Sequence, residues 1–305
     1  MPTTHKLPAV LALVTLAAAT GLAGAQTGVP RLTTSDEPLK LQADMDSVYA
    51  PPAVGRDEEA VNRGGMTLDL SVAYSTDYIY RGIEVFPPPG GGDSANIQID
   101  NRLTFDLGKY PHPFVGVYAN FADQDPISRF QEIRPYFGAQ LKVSPLMFEA
   151  GYNAYIYPDR DAMSTSEVYG KITFDDSALW GTDRPVFSPY IYAAYDFDLY
   201  NAWYFEAGLE HQIAFETLPL TLTFYGHVAY VMGYELYSAV PGRDTGFQHW
   251  QVGMIADYSL NTALNIPKRL GSWSVYGFVN YTDGIDNDLR ATTQLWGGAG
   301  IRLQY

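Results

Sequence analysis

The 305-residue chain has no cysteine and a formal charge of −15, with 34 acids against 19 lysines and arginines. The first property excludes a disulfide scaffold, and the second argues against nucleic acid as a partner. Its 24 tyrosines, 15 phenylalanines and 5 tryptophans suit aromatic girdles at two membrane interfaces. They suit a carbohydrate-binding β protein as well.

Lys6 precedes the apolar stretch "LPAVLALVTLAAATGLAG", which ends beside the small-x-small triplet Ala23-Gly24-Ala25. This reads as a signal peptide over 1–25, cleaved before Gln26. The apolar run is shorter than the ~20 residues a membrane span needs. Residues 26–65 lack sustained periodicity and are rich in Pro, Gly and acids. They are expected to form a flexible acidic N-terminal segment, either a tail or a plug for a lumen.

From Met66 onward the pattern changes to a period of two. In "TLDLSVAYSTDYIYRG" (Thr67–Gly82), Leu68, Leu70, Val72, Tyr74, Thr76, Tyr78 and Tyr80 alternate with a set that includes Asp69, Ser71, Asp77 and Arg81. One apolar and one polar face is the signature of a half-buried strand. The pattern predicts a strand over 66–81, followed by strands near 95–108, 113–122, 129–143, 146–157, 166–175, 187–197, 202–216, 219–232, 247–259, 273–282 and 291–305. Pro135 and Pro189 each remove a ladder donor, so a bulge or strand end is expected at both. No helical stretch of useful length separates the strands, which excludes a βαβ arrangement.

Twelve is an even number, which brings both ends of the barrel to one side. Connections such as "SP" at 144–145 and "TLP" at 217–219 alternate with longer ones such as "GYELYSAVPGRDTG" and "DGIDNDLR". Short turns on one side and longer loops on the other are typical of outer-membrane barrels. The connections 176–186 and 260–272 are long for the short-turn side. Aromatics stand near both ends of the apolar faces. Phe187, Phe215, Tyr258, Trp273 and Tyr305 form the expected periplasmic belt, and Tyr78, Tyr80, Phe121, Tyr195, Phe197, Trp203, Tyr230, Trp250 and Tyr281 the outer one. Two belts around an aliphatic band match a bilayer. The expected fold is therefore all-β, a transmembrane antiparallel β-barrel of about twelve strands over residues 66–305, in the bacterial outer membrane. Its final strand, ending on Tyr305, is similar to the C-terminal signal of such barrels.

The stretch "STDYIYRG" (Ser75 to Gly82) resembles the first-strand motif of TorF-type porins. General length and the aromatic C-terminus are similar too. The resemblance implies an outer-membrane barrel of poorly defined substrate.

In such a barrel the polar faces line a lumen. Candidate pore-lining residues are Asp69, Asp77, Arg81, Asp100, Arg102, Asp106, Glu132, Arg134, Glu206 and Glu210, with Glu149, Glu167, Asp196, Asp257, Lys142, Lys171 and Arg302 also read as inward. Opposed arginines and carboxylates can define a constriction, and a net negative lining favours cations. The expected activity is passive diffusion of small polar solutes with a cation preference. The partners are then outer-membrane lipid and those solutes or cations, and no cofactor is expected. The alternative is a closed structural or surface-binding barrel whose charges pair and fill it.

"DGIDND" at 283–288 could hold Ca²⁺ or Mg²⁺, but its spacing matches no complete calcium loop, so a solvated rim is the reading and no metal is assigned. A lipid-active enzyme is the third reading. It would need a nucleophile beside a base. His227 and His249 point inward on adjacent strands, where Tyr225 or Gln251 could pair with them, and no serine shares their face. No catalytic residue is assigned. No residue pattern sets an oligomeric state.

Overall fold

The computed structural model describes residues 65–86, 94–122, 130–158, 163–215 and 217–305. The expected signal peptide and all but the last residue of the 26–65 segment lie outside the described residues. Among those described, twelve strands close into an antiparallel barrel. They are β1 (Met66–Ser75), β4 (Asn96–Phe105), β5 (His112–Ala122), β6 (Phe130–Val143), β7 (Leu146–Tyr155), β8 (Thr165–Phe174), β9 (Tyr190–Asp196), β10 (Ala202–Ala214), β11 (Leu220–Met232), β12 (Gly246–Ser259), β13 (Ser272–Gly284) and β14 (Gln294–Gln304). Two short strands, β2 (Ile79–Tyr80) and β3 (Ile83–Glu84), stand apart as a separate hairpin. β1 begins and β14 ends at one rim, called here the terminal rim; the opposite one is the far rim.

Each barrel strand pairs with its chain neighbour, and β1 pairs with both β4 and β14 to close the ring. Asp69 stands opposite Arg102 on one side and Gln304 on the other. Register matters because a slip of one residue would exchange the two faces of a strand. The faces are those of an inside-out protein. Val168, Ile191, Leu209, Val252, Val279 and Ile301 point outward and are exposed. Aromatics flank this band, with Phe197, Trp203, Phe247 and Trp250 toward the far rim and Phe187, Phe215 and Tyr258 toward the terminal rim. The interior instead buries Arg102, Glu132, Arg134, Glu149, Glu167 and His249.

Pro189 behaves as a missing donor requires, whereas Pro135 lies inside β6 with neither the bulge nor the strand end expected of it. Pro189 immediately precedes β9. At Pro135 the β6–β7 ladder is interrupted, resuming at Tyr136↔Asn153 after the lone bridge Ile133↔Ile156. The two long terminal-rim connections turn out to be compact. Between β8 and β9, the Asp176 carboxylate accepts from the backbone N–H groups of Val186, Phe187 and Ser188 and from the Trp180 indole, folding the loop around a helical turn at Ser177–Trp180. Between β12 and β13, a five-residue helix, Leu260–Leu264, is capped by the Ser259 side chain. There the Asn261 amide donates to the carbonyls of Ile266 and Gly271.

One expected element is corrected. The strand read over 66–81 stops at Ser75. Ser75 Oγ donates to Asp77 O at 2.8 Å, and Asp77 Oδ1 accepts from Ser94 N, so the chain turns off the barrel wall. Ile79↔Glu84 and Tyr80↔Ile83 then pair around Arg81 and Gly82, at φ 47° and 69°. Two successive positive φ values make the tight primed turn that suits right-twisted strands, and Gly at the second position is its usual residue. The alternation of the sequence runs on unbroken because wall strand and hairpin share a period of two. Tyr78 and Tyr80 consequently leave the outer aromatic belt and enter the lumen. Ser75–Gly82 spans the end of β1 and this hairpin, not one continuous strand.

Candidate functional site: a lumen crossed by a hairpin

The hairpin carries residues 76–86 inward from the far rim, and its contacts reach across the ring. Arg81 Nη2 donates to both oxygens of Glu167 on β8, at 3.1 and 2.9 Å. In strand order β8 lies five places round the twelve-strand ring from β1. The Arg81 guanidinium lies 4.3 Å from the ring centre of Tyr204, on β10. Its backbone carbonyl accepts from Gln248 Nε2 of β12 at 2.9 Å, and the Gly82 carbonyl accepts from Thr292 N at 2.7 Å. At the root of the hairpin, Tyr78 OH donates to Glu132 Oε2 at 2.7 Å, and Arg134 Nε holds the other oxygen of that carboxylate at 2.8 Å. Arg134 is itself sandwiched by the rings of Tyr80, Tyr118 and Tyr155, each centred 4.7–4.9 Å from its guanidinium carbon. Arg81 and Glu167 are each 1% exposed. The hairpin is a partition across the far half of the lumen.

Toward the terminal rim the wall carries further charge. Arg102 Nη2 donates to Glu149 Oε2 at 3.0 Å, and the Arg102 guanidinium carbon lies 3.6 Å from the ring centre of Phe114. Arg302 Nη1 donates to Asp257 Oδ2 at 3.2 Å. Each luminal arginine thus faces a carboxylate and stacks on a ring, which combines a charge-assisted hydrogen bond with cation–π attraction. Other acids are held by neutral donors. Gln304 donates to Asp69, Tyr136 to Asp100, Tyr190 and Tyr204 to Glu206, and Gln212 to Glu210. Glu167, Glu149, Glu132 and Asp257 match the arginines, and with Lys171 as a further buried cation opposite Glu149 in register, inward acids still outnumber inward bases.

Among the candidate pore-lining residues, Asp69, Asp100, Arg102, Glu132, Arg134, Glu206 and Glu210 lie on inward positions of the wall, and Arg81 lies in the lumen on the hairpin. Two inward readings are corrected. Asp77 lies off the wall at the entrance to the hairpin, where its carboxylate binds Ser94 N and Thr76 Oγ1. Asp106 follows the end of β4, accepts from Gly108 N at 2.6 Å and belongs to the rim turn. Lys142 keeps the inward parity of Arg134 and Gln140 and is exposed at the terminal rim, near the end of β6.

A β-bulge was invisible in the sequence. Between Val228↔Trp250 and Tyr230↔Phe247 the ladder gains a residue, so Gln248 and His249 both stand against Ala229. The extra residue re-aims side chains and buries Gln248 and His249 together inside. His249 therefore meets His227, with Nε2 atoms 3.4 Å apart, and stacks on the ring of Tyr204 rather than pairing with Tyr225 or Gln251.

A family model described as a bacterial protein of unknown function (Gcw_chp) matches residues 59–284. No curated protein matches the sequence. Among solved structures, the chain is similar to the NanC porin, with 10% identity, a TM-score of 0.45 and coverage of 77% of this chain and 98% of that one. It is also similar to an outer membrane channel from Pseudomonas putida F1, with 8% identity, a TM-score of 0.44 and coverage of 79% and 96%. At such scores neither likeness bears on what the chain does.

Proposed function

We propose that this chain, which belongs to the Gcw_chp family of bacterial proteins of unknown function, is a porin-like barrel of the bacterial outer membrane. It passes small polar solutes, with a preference for cations, through a lumen that the inner hairpin closes at rest. The membrane assignment is supported by an apolar outward band between aromatic girdles around a polar interior. The resemblance of Ser75–Gly82 to TorF-type porins supports it as well.

One observation carries the channel reading: the partition is a separate hairpin seated by Arg81 on Glu167, not part of the barrel ladder. Filling a lumen with ions costs several kcal/mol of desolvation per charge, roughly, and apolar filler of similar volume would hold a closed barrel at least as well. A polar path behind a detachable hairpin is the arrangement a gated pore needs. Cation preference follows from Asp69, Asp100, Glu206 and Glu210, which neutral side chains hold in place.

The test is single-channel recording of refolded 26–305 in a planar bilayer under a KCl gradient. Discrete steps with a cation-selective reversal potential are expected. A folded barrel that stays silent, also when the hairpin's anchor is removed, would favour the second reading, a closed structural or surface-binding barrel. That reading draws on the near-complete burial of Arg81, Tyr78 and Glu167. A lipid-active enzyme is disfavoured because His227 and His249 hydrogen-bond to each other, His249 also to Gln248, and His227 faces the Glu206 carboxylate at 3.8 Å.

A further inference from the structure

We propose that His227 and His249 form a two-imidazole binding site for a borderline transition-metal dication of the Zn²⁺ or Ni²⁺ class. The site goes beyond the channel reading and does not depend on conduction.

The first argument is geometric. The two Nε2 atoms are 3.4 Å apart, with the rings edge to face at 89°. Two imidazoles bound to one tetrahedral ion at ~2.0–2.1 Å place their nitrogens about 3.4 Å apart. The spacing is the one a shared ion imposes.

The second argument is tautomeric. Gln248 Nε2 donates to Arg81 O at 2.9 Å and Arg290 O at 3.0 Å, which identifies its other amide atom, Oε1, as an acceptor. His249 Nδ1, 3.0 Å from that oxygen, must therefore be the donor. A neutral His249 then aims the Nε2 lone pair at His227. On His227, Nδ1 faces Glu206 Oε1 at 3.8 Å. A carboxylate on that side favours a proton on Nδ1 electrostatically, and that tautomer leaves the His227 Nε2 lone pair for a ligand. The 3.4 Å contact is then bridged by a shared proton, as a hydrogen bond, or by a metal ion that takes the proton's place.

The third is the surroundings. Gln251 stands opposite His227 in register, is 1% exposed, and neither of its amide atoms has a hydrogen-bond partner among the described residues. Buried amides are rarely left so, and its oxygen is a further donor on the same wall. Ala229, between Glu206 and the bulge, keeps the space small-sided. Charge around the pair is mixed: Glu206 supplies a negative group beside His227, while Lys171 and the Glu167-engaged Arg81 are the neighbouring cations. No group of three His, Cys, Asp or Glu is arranged for a metal among the described residues. Binding therefore rests on two imidazoles completed by neutral oxygens, a set that suits Zn²⁺ and Ni²⁺ and not Ca²⁺ or Mg²⁺.

The experiment is calorimetric titration of tag-free, refolded protein in detergent with Zn²⁺, and with Co²⁺ as a spectroscopic probe. One equivalent per chain is expected, with d–d bands from Co²⁺. Both are expected to be lost in His227→Gln and His249→Gln and kept in His211→Gln, on β10 near the terminal rim. His249→Gln could unseat the hairpin, so His227→Gln is the decisive variant, and heat-modifiable gel mobility reports that each barrel has closed. Absence of binding in the wild type overturns the site. So does an equivalent that survives both substitutions, which would place the metal on the acidic loops. Because binding is read in detergent, a barrel that never conducts leaves the result equally decisive.

Discussion

Replacing Glu167 with Gln removes the charge that seats the hairpin while keeping the shape of the wall. The ladder should be untouched, since the backbone of residue 167 keeps its pairing with Asn153 and Asp196. The glutamine oxygen can still accept from Asn153 Nδ2 and Tyr155 OH, which bind Glu167 Oε1 at 2.9 and 2.7 Å. The loss falls on Arg81, whose guanidinium is left buried without its carboxylate. Breaking one side of a buried pair costs about 3–5 kcal/mol, and each 1.4 kcal/mol is about a factor of ten. The displaced hairpin should therefore gain roughly a hundredfold to a few thousandfold in population. Open probability in a planar bilayer at fixed voltage reads that change directly. If E167Q stays within about threefold of wild type while gel mobility shows a closed barrel, the ion pair does not hold the partition and the gating argument is wrong.

Gly82→Ala should act in the same direction, because its Cβ would lie 2.5 Å from His249 Cγ at a φ of +69°. The left-handed backbone alone costs roughly 1–2 kcal/mol. Trypsin cleavage after Arg81 should accelerate about tenfold, and an unchanged rate would mean the turn is not seated on His249. Asp69→Asn combined with Asp100→Asn should move the reversal potential toward zero in a salt gradient; an unmoved potential would remove these acids from the selectivity argument. Val252→Arg, at the centre of the exposed face of β12, should cost about 2–4 kcal/mol in lipid by urea unfolding, against about 0–1 for Phe215→Arg beside the terminal rim. Equal penalties at the two heights would contradict the membrane assignment. Zn²⁺ at a hundredfold excess over its Kd should stabilise the barrel by about 2.7 kcal/mol, and His227→Gln should abolish that gain.

The barrel is legible in the sequence because two signals coincide in most strands: alternation within the strand and turn residues at its ends. The strands expected over 166–175 and 219–232 are found as Thr165–Phe174 and Leu220–Met232. What failed was anything that keeps the period of two while leaving the wall. Tyr78 and Tyr80 read as lipid-facing because the hairpin continues the alternation of β1, and only Arg81-Gly82, an ordinary pair in sequence, takes the turn. Asp106 alternates correctly yet falls just beyond the last residue of β4, in the rim turn. The meeting of the two histidines depends on a single inserted residue in β12, which no periodicity reveals. The partners of the arginines were hidden for another reason. Side chains that meet across a lumen, such as Arg102 and Glu149, lie on strands that are not neighbours in the sheet.

The seam between β1 and β14 joins the two ends of the barrel chain. Leu68 and Tyr305 exchange backbone hydrogen bonds at 2.7 and 2.8 Å, and pairing runs from Asp69↔Gln304 to Ser75↔Gly298. Every other ladder in the ring joins consecutive barrel strands, β1 and β4 with the inner hairpin between them, so each can form more locally than the seam. This one cannot form until all the intervening strands are in place. Until then the sheet carries two unsatisfied edges, which invite pairing with other chains and cannot lie exposed in a bilayer core. Closure is accordingly the most non-local event in assembly and the natural slow step. A chain lacking β14 should accumulate as open, sticky sheet rather than as a smaller pore.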